Sequence, residues 1–265
     1  MTMEGGRIRR SRVVGALAAG GCVAPEAEAD ALFEAERQGG GPIEDLVARR
    51  VAGEPLAWIT GWTRFCGLRI HVEPGVFVPR PHTETMARRG AALLPADGVA
   101  VDLCTGSGAV AAVMGSARPG ATVLGTDVDP VAVSCARRNG VRALLGDLDE
   151  TLPASLGGRV DVVTAVVPYV PSEELHLLPG DVLAYEPRLA LDGGPGGTSV
   201  LVRAAEAAAR LLGPGGYMLL ELGGEQATSM TTTLSGLGMS LIRILRDEDG
   251  RDRAIEARRR APARA

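Results

Sequence analysis

At 265 residues, 46% of them hydrophobic and 23% charged, the chain has the length and composition of a globular α/β protein with room for a smaller companion unit. Its formal net charge of -4 disfavours broad nucleic-acid binding, and all 28 basic residues are arginine, which excludes a phosphate loop built on lysine. The four cysteines form no C-x-x-C pair and no metal-like spacing with the three histidines, and no apolar run is long enough to span a membrane, so a reduced, metal-free, cytoplasmic protein is expected.

The first fifth of the chain reads as short helices separated by glycine and proline. Ile8, Val13, Val14 and Leu17 share a helical face that Gly20 and Gly21 end. Pro25, followed by Glu26 and Glu28, opens a second helix that stops at Gly39, and Pro42 opens a third carrying Ile43, Leu46, Val47 and Val51. Glycines interrupt the early alanine-rich stretch, so it lacks a signal-peptide core. Arg7, Arg9, Arg10 and Arg12 near the start, and Arg258, Arg259 and Arg260 near the end, read as solvated faces. The helical module is packing material, an oligomerisation surface or a partner-docking surface; its pattern does not choose. Aromatic and β-branched residues then predict a hairpin with strands over 64–66 and 68–72, and Pro79 and Pro81 fix an extended exit.

The stretch 99–127, VAVDLCTGSGAVAAVMGSARPGATVLGTD, organises the rest of the chain. An apolar strand ends in a glycine turn, a helix-period segment comes next, and a second apolar run stops at Asp127. In open α/β sheets ligands sit beyond the carboxyl ends of the strands. There Gly106 and Gly108 let backbone approach a ligand, and Asp127, about twenty residues on, suits a ribose diol. Ala109, Val110 and Ala111 come directly after Gly108, so the turn is not the G-x-G-x-x-G of a dinucleotide site. Beyond it the pattern predicts a helix over 130–138, strands over 143–145 and 160–167, a helix over 197–212, a strand over 217–222 and a helix over 225–237. A closing antiparallel pair over 241–245 and 253–257 completes the alternation, which predicts a mostly parallel sheet covered on both faces.

In this order the motifs resemble the protein-(glutamine-N5) methyltransferase family that modifies peptide-chain release factors. The resemblance runs through G-E-P-L-A-W-I-T-G from Gly53, V-P-R-P-H-T-E from Val78, D-L-C-T-G-S-G from Asp102 and G-T-D-V-D-P from Gly125. It continues in Y-E-P-R-L-A-L from Tyr185, L-G-P-G-G-Y from Leu212 and D-G-R-D-R from Asp249. It implies a Rossmann-like class I methyltransferase sheet over residues 81–265, preceded by an N-terminal helical domain (1–60) and a hairpin connector (61–80). It also implies that S-adenosylmethionine is bound, with Cys104, Thr105, Gly106, Ser107 and Gly108 around its methionine part, Asp127 on the ribose, Asp147 and Leu148 bordering adenine, and Val166 alongside. Pro168 and Tyr169 are the catalytic pair it implies, and Val167, Pro168, Tyr169 and Glu186 the substrate contacts. Asp147 also reads as a helix cap, Glu186 as a solvated loop carboxylate and Glu221 as structural.

One block departs. Where the family carries N-P-P-Y this chain has Val166, Val167, Pro168 and Tyr169, so the side chain that holds the substrate amide is missing. An amide left one acceptor short costs about 1–3 kcal/mol, roughly a ten- to hundred-fold loss of rate. Three readings are open: methylation of a release-factor or other protein glutamine, methylation redirected to a small molecule with a better nucleophile, and cofactor binding without transfer. Hydrolase chemistry is excluded because no G-x-S-x-G elbow occurs.

Overall fold

The computed structural model describes residues 3–224, 226–247 and 249–261. The N-terminal helices are α1 (Met3–Ala19), α2 (Pro25–Arg37), α3 (Ile43–Val51) and the short α4 (Leu56–Thr60). Val13 and Leu17 of α1 meet Ala29, Leu32 and Ala35 of α2, Ile43 and Leu46 of α3 and Ile59 of α4 in a core of their own. The early arginines are solvent-accessible, as expected, and two of them also form ion pairs. Arg9 pairs with Glu36 at 2.8 Å and Arg10 with Asp30 at 2.8 Å, joining α1 to α2.

The hairpin is β1 (Trp62–Phe65) with β2 (Leu68–His71), paired antiparallel. Cys66, expected inside the first strand, lies in the turn instead. A two-residue turn of the hairpin hand needs positive φ at both central positions, and Cys66 and Gly67 have φ of 50° and 81°. Next come α5 (Thr83–Leu93), β3 (Val99–Leu103), α6 (Ala109–Ala117), β4 (Thr122–Asp127), α7 (Pro130–Arg138), β5 (Arg142–Leu145) and β6 (Val160–Ala165). A loop containing α8 (Gly180–Tyr185) leads to α9 (Ser199–Leu211), β7 (Leu212–Glu221), α10 (Gln226–Gly236), β8 (Met239–Arg246) and β9 (Asp252–Arg259). The predicted strand over 160–167 stops two residues early, because Val166 and Val167 are apolar without being in the sheet. No element is predicted from the sequence over α5, which carries Gly90 inside it. A Cβ there would stand 3.2 Å from Thr164 Cγ2 and 3.3 Å from Met114 Sδ, so the glycine lets α5 pack against β6 and α6. Glu225, where the last predicted helix was to begin, lies outside the described residues.

Seven strands form one sheet in the order β5-β4-β3-β6-β7-β9-β8, with β9 antiparallel to both β7 and β8 and the other neighbours parallel. The period of two sorts side chains between its faces. Ala100, Val162 and Leu219 pack under α5, α6 and the hairpin, whereas Val101, Val163 and Leu220 pack under α9 and α10. The mostly parallel sheet with helices on both faces is the one the alternation predicted. From β3 the chain builds outward to β4 and β5, then returns to place β6 on the other side, so the strand order switches between β3 and β6. A ligand crevice is expected at the carboxyl ends there. No helix among the described residues is long and apolar enough to cross a membrane.

Candidate active site

A cavity of about 530 Å³ opens at that switch point. Its floor is the turn after β3. Cys104 takes a left-handed φ of 53°, Thr105 N donates to Thr126 O at 2.9 Å, and Gly106 N donates to Asp127 Oδ2 at 2.8 Å. Asp129 N donates to the other oxygen, Asp127 Oδ1, at 3.0 Å, so backbone on both sides fixes the carboxylate. Burial pushes the Asp127 carboxyl above the ordinary carboxylate value, and those N–H groups work against the shift. Gly106 has a φ of 55° and nothing within 4 Å of a built Cβ, leaving its face open to the cavity.

The structure brings Cys104, Thr105, Gly106, Ser107, Asp127, Asp147, Leu148, Val166, Val167, Pro168 and Tyr169 to the walls of this one cavity. Gly108 and Glu186 are not among its walls. Gly108 starts α6 at a φ of 78°, and a Cβ on it would stand 2.8 Å from Val141 Cγ2 and 3.2 Å from Ala136 Cα, so it serves the packing of α6 on α7. Glu186 lies behind the wall, only 6% exposed, where it accepts from Arg80 Nη2 at 2.5 Å. It is therefore not a solvated carboxylate, and it does not line this cavity. Asp147 caps no helix; it pairs with Arg203 of α9 at 2.5 Å, and both line the cavity.

Several cavity residues were not singled out from the sequence. Asp102, 2% exposed, accepts from Thr105 Oγ1 and Thr164 Oγ1, each at 2.6 Å, tying the turn to β6. Arg80 stacks over Phe77 at 4.7 Å from the ring centroid, and both stand with His82 on the wall facing Pro168 and Tyr169. The Pro-Arg-Pro-His spelling was the available signal, since two prolines rigidly present the polar residues beside them. Gln226 locks the Tyr169 backbone, its Nε2 donating to Tyr169 O at 2.8 Å. The Tyr169 phenol is pushed up to about 12, first by burial and then by the nearby Glu221 charge.

Away from the cavity, ligand atoms of His71, Glu73 and Cys135 lie within 4.8 Å of one another. Arg138 already stands there, its Nε 3.2 Å from Glu73 Oε1, and supplies the positive charge that a metal ion would bring.

Burial lifts the Asp102 carboxyl from an ordinary 3.8 to about 6, against the two threonine hydroxyls. The folded protein then binds a proton more tightly than the unfolded chain. This contribution to stability is fully present below pH 3.8 and is lost as pH rises through about 6. Asp102→Asn is expected to flatten stability between pH 4 and 6 relative to wild type and to differ from it by on the order of 3 kcal/mol across that window. Urea unfolding at a series of pH values measures the difference, in which the other carboxylates cancel.

Against known proteins, no family model matches the chain. A release factor glutamine methyltransferase of Geobacter sulfurreducens is 36% identical over 219 residues, covering 80% of this chain and 76% of that protein. This chain belongs to the release factor glutamine methyltransferase family. It is thus an S-adenosylmethionine-dependent methyltransferase. A 4-amino-L-phenylalanine/4-methylamino-L-phenylalanine methyltransferase of Streptomyces pristinaespiralis is also similar, at 38% identity over 203 residues, covering 72% of this chain and 69% of that protein. Among solved structures, a ribosomal-protein methylase from Lactobacillus delbrueckii subsp. bulgaricus has the same fold, with a TM-score of 0.50, 17% identity, and coverage of 73% of this chain and 86% of that one. The family assignment agrees with the resemblance seen in the motifs, while Val166 remains where the family motif has asparagine.

Proposed function

We propose that this chain methylates the side-chain amide nitrogen of a glutamine in a protein of the release-factor kind. Family membership supports this reading, and so does the mouth of the cavity. Leu189 on its wall is 60% exposed, and Leu177 and Leu183, next to the wall residues Leu178 and Val182, are 70% and 46% exposed. An apolar rim of that kind suits a protein loop, which can cover it, better than a free amino acid.

The donor half of the cavity fits S-adenosylmethionine by its chemistry. Asp127 offers a carboxylate whose spare lone pairs can accept from a ribose diol, Gly106 leaves room beside it, and Asp102 and Asp127 give this half of the cavity a negative charge that suits a sulfonium. Asp147 and Leu148 border the base, and Cys104 to Ser107 with Val166 enclose the remainder. When bound, S-adenosylmethionine supplies a methyl group on positively charged sulfur, open to in-line attack. The chain's own task is then to aim the nucleophile and exclude water. Pro168 and Tyr169 flank the acceptor nitrogen, the carbonyl of Val167 offers its N–H one acceptor, and the Arg80–Glu186 pair stiffens the opposite wall.

Val166 and Val167 favour a second reading, in which the acceptor is the amine of a small aromatic molecule, as the name of the Streptomyces pristinaespiralis relative describes for that protein. An amine needs no side-chain acceptor to free its lone pair. The two readings part in one experiment. Incubation with methyl-labelled S-adenosylmethionine, a release factor and a panel of aromatic amines should place label on a release-factor glutamine, located by peptide mass spectrometry. Label on an amine with none on the release factor would select the second reading.

A further inference from the structure

His82 stands on the cavity wall just before α5, and its side chain makes no helix cap. Its Nε2 is 3.4 Å from Glu221 Oε1, an ion-pair distance, and neither buried atom makes a hydrogen bond among the described residues. Glu221, at the end of β7, is 1% exposed, and its second oxygen accepts from Thr83 Oγ1 at 2.6 Å. The same carboxylate's charge also helps to hold the Tyr169 phenol above its ordinary value, after burial. One buried carboxylate therefore lies near both the imidazole and the tyrosine of the proposed acceptor corner. A carboxylate so placed favours the tautomer with hydrogen on Nε2, which leaves Nδ1 with a free lone pair.

Methyl transfer to nitrogen releases a proton, and at the position where the family carries asparagine Val166 cannot accept an N–H. We propose that His82 is the catalytic base that takes the proton of the acceptor nitrogen, with Glu221 as its positioning residue. This rests on the methyl transfer proposed above and holds for an amide or an amine. The nitrogen lone pair forms the N–C bond, and the C–S pair stays on sulfur. The N–H pair returns to nitrogen as the proton moves to Nδ1, and the imidazolium formed is held against the Glu221 carboxylate. The His82 side chain is 24% exposed, which gives the proton a way out to water after product leaves. The other charged groups near this cluster are Arg80, paired with Glu186, and Arg253 of β9, paired with Asp247.

The test compares wild type with His82→Asn and Glu221→Gln at saturating S-adenosylmethionine from pH 5.5 to 9, on whichever acceptor takes label. Wild-type kcat should rise with pH and then level off, as a base that must be unprotonated requires. In His82→Asn kcat should fall about 10²–10⁴-fold and lose that limb, with S-adenosylhomocysteine affinity within twofold of wild type. Removing the carboxylate in Glu221→Gln should move the limb to lower pH. Added imidazole should restore turnover to His82→Ala, a rescue that a folding defect would not show. An active wild type with His82→Asn within threefold of it and an unchanged pH profile overturns the role of His82 alone. A wild type that binds S-adenosylhomocysteine yet methylates neither class of acceptor overturns the transfer reading and this one with it.

Discussion

Asp127→Ala is expected to abolish measurable binding of S-adenosylmethionine and S-adenosylhomocysteine at micromolar protein while leaving the fold intact. Two hydroxyl bonds to an ionised carboxylate contribute about 1.5–3 kcal/mol each, so losing both weakens binding roughly 10²–10⁴-fold. Gly106 N and Asp129 N lose their acceptors as well, and the turn that shapes the donor half is no longer held from above. The apo protein should suffer little. Burial raises the carboxyl of Asp127, so keeping it ionised works against folding, and the orphaned N–H groups border a cavity that water can enter. Calorimetry reads the affinity. A melting scan supplies the control, because a ligand at 100 times its Kd stabilises by about 2.7 kcal/mol and that shift should vanish from a variant whose apo transition is near wild type. Affinity within fivefold of wild type would remove the ribose role from Asp127. Asp127→Asn, which keeps one oxygen, should fall between the two.

The parts of the fold written in local pattern were legible before the structure. Apolar runs of strand length located β3 and β4, and Pro130 after Asp129 marked the start of α7, where Asp129 Oδ1 accepts from Val131 N at 2.8 Å. Alternation of strand and helix gave the parallel sheet and its closing antiparallel pair. The errors have physical causes. Val166 and Val167 read as strand because a cavity wall and a sheet interior ask for the same apolar side chains. Cys66 read as strand because a left-handed non-glycine residue leaves no compositional trace.

What the sequence could not reveal in the site was long-range pairing. Glu186 read as a loop carboxylate because its partner, Arg80, is 106 residues away. Thr83 and Glu221 are 138 residues apart, so no local pattern joins His82 to a carboxylate. The N-terminal helices likewise reach the acceptor wall through contacts that spacing does not encode. Trp58 Nε1 donates to Val76 O at 2.9 Å, its ring meets Tyr185 edge-on at 6.2 Å, and Tyr185 Oη donates to Ala52 O at 3.2 Å. The helical module thus packs against the loop of α8 from outside, a contact that no local pattern encodes.

Val166→Asn is the substitution that separates the two acceptors. If the natural substrate is a glutamine amide, the variant regains an acceptor for its N–H, and glutamine methylation should rise about ten- to hundred-fold through kcat, the reverse of the 1–3 kcal/mol that an unpaired polar group costs. Donor affinity should hold within a few-fold, because Asp127 and the turn after β3 are untouched. If the natural substrate is an amine, the same change introduces a polar side chain into an apolar wall. Amine methylation should then fall, and glutamine methylation should appear from a negligible level. The site can take the side chain: residue 166 lies outside β6 and is half-buried at the cavity edge, so although Val166 packs against the core on one side, an asparagine there has the open cavity on the other. Measuring kcat/KM for both acceptors on both proteins gives four numbers, and the ratio of glutamine to amine turnover in wild type identifies the acceptor. The gain in the variant measures how much of the amide chemistry a single side chain supplies. An asparagine that changes neither rate would place the acceptor nitrogen away from the corner at residues 166–169, and would move the search to the wall formed by Phe77, Arg80 and His82.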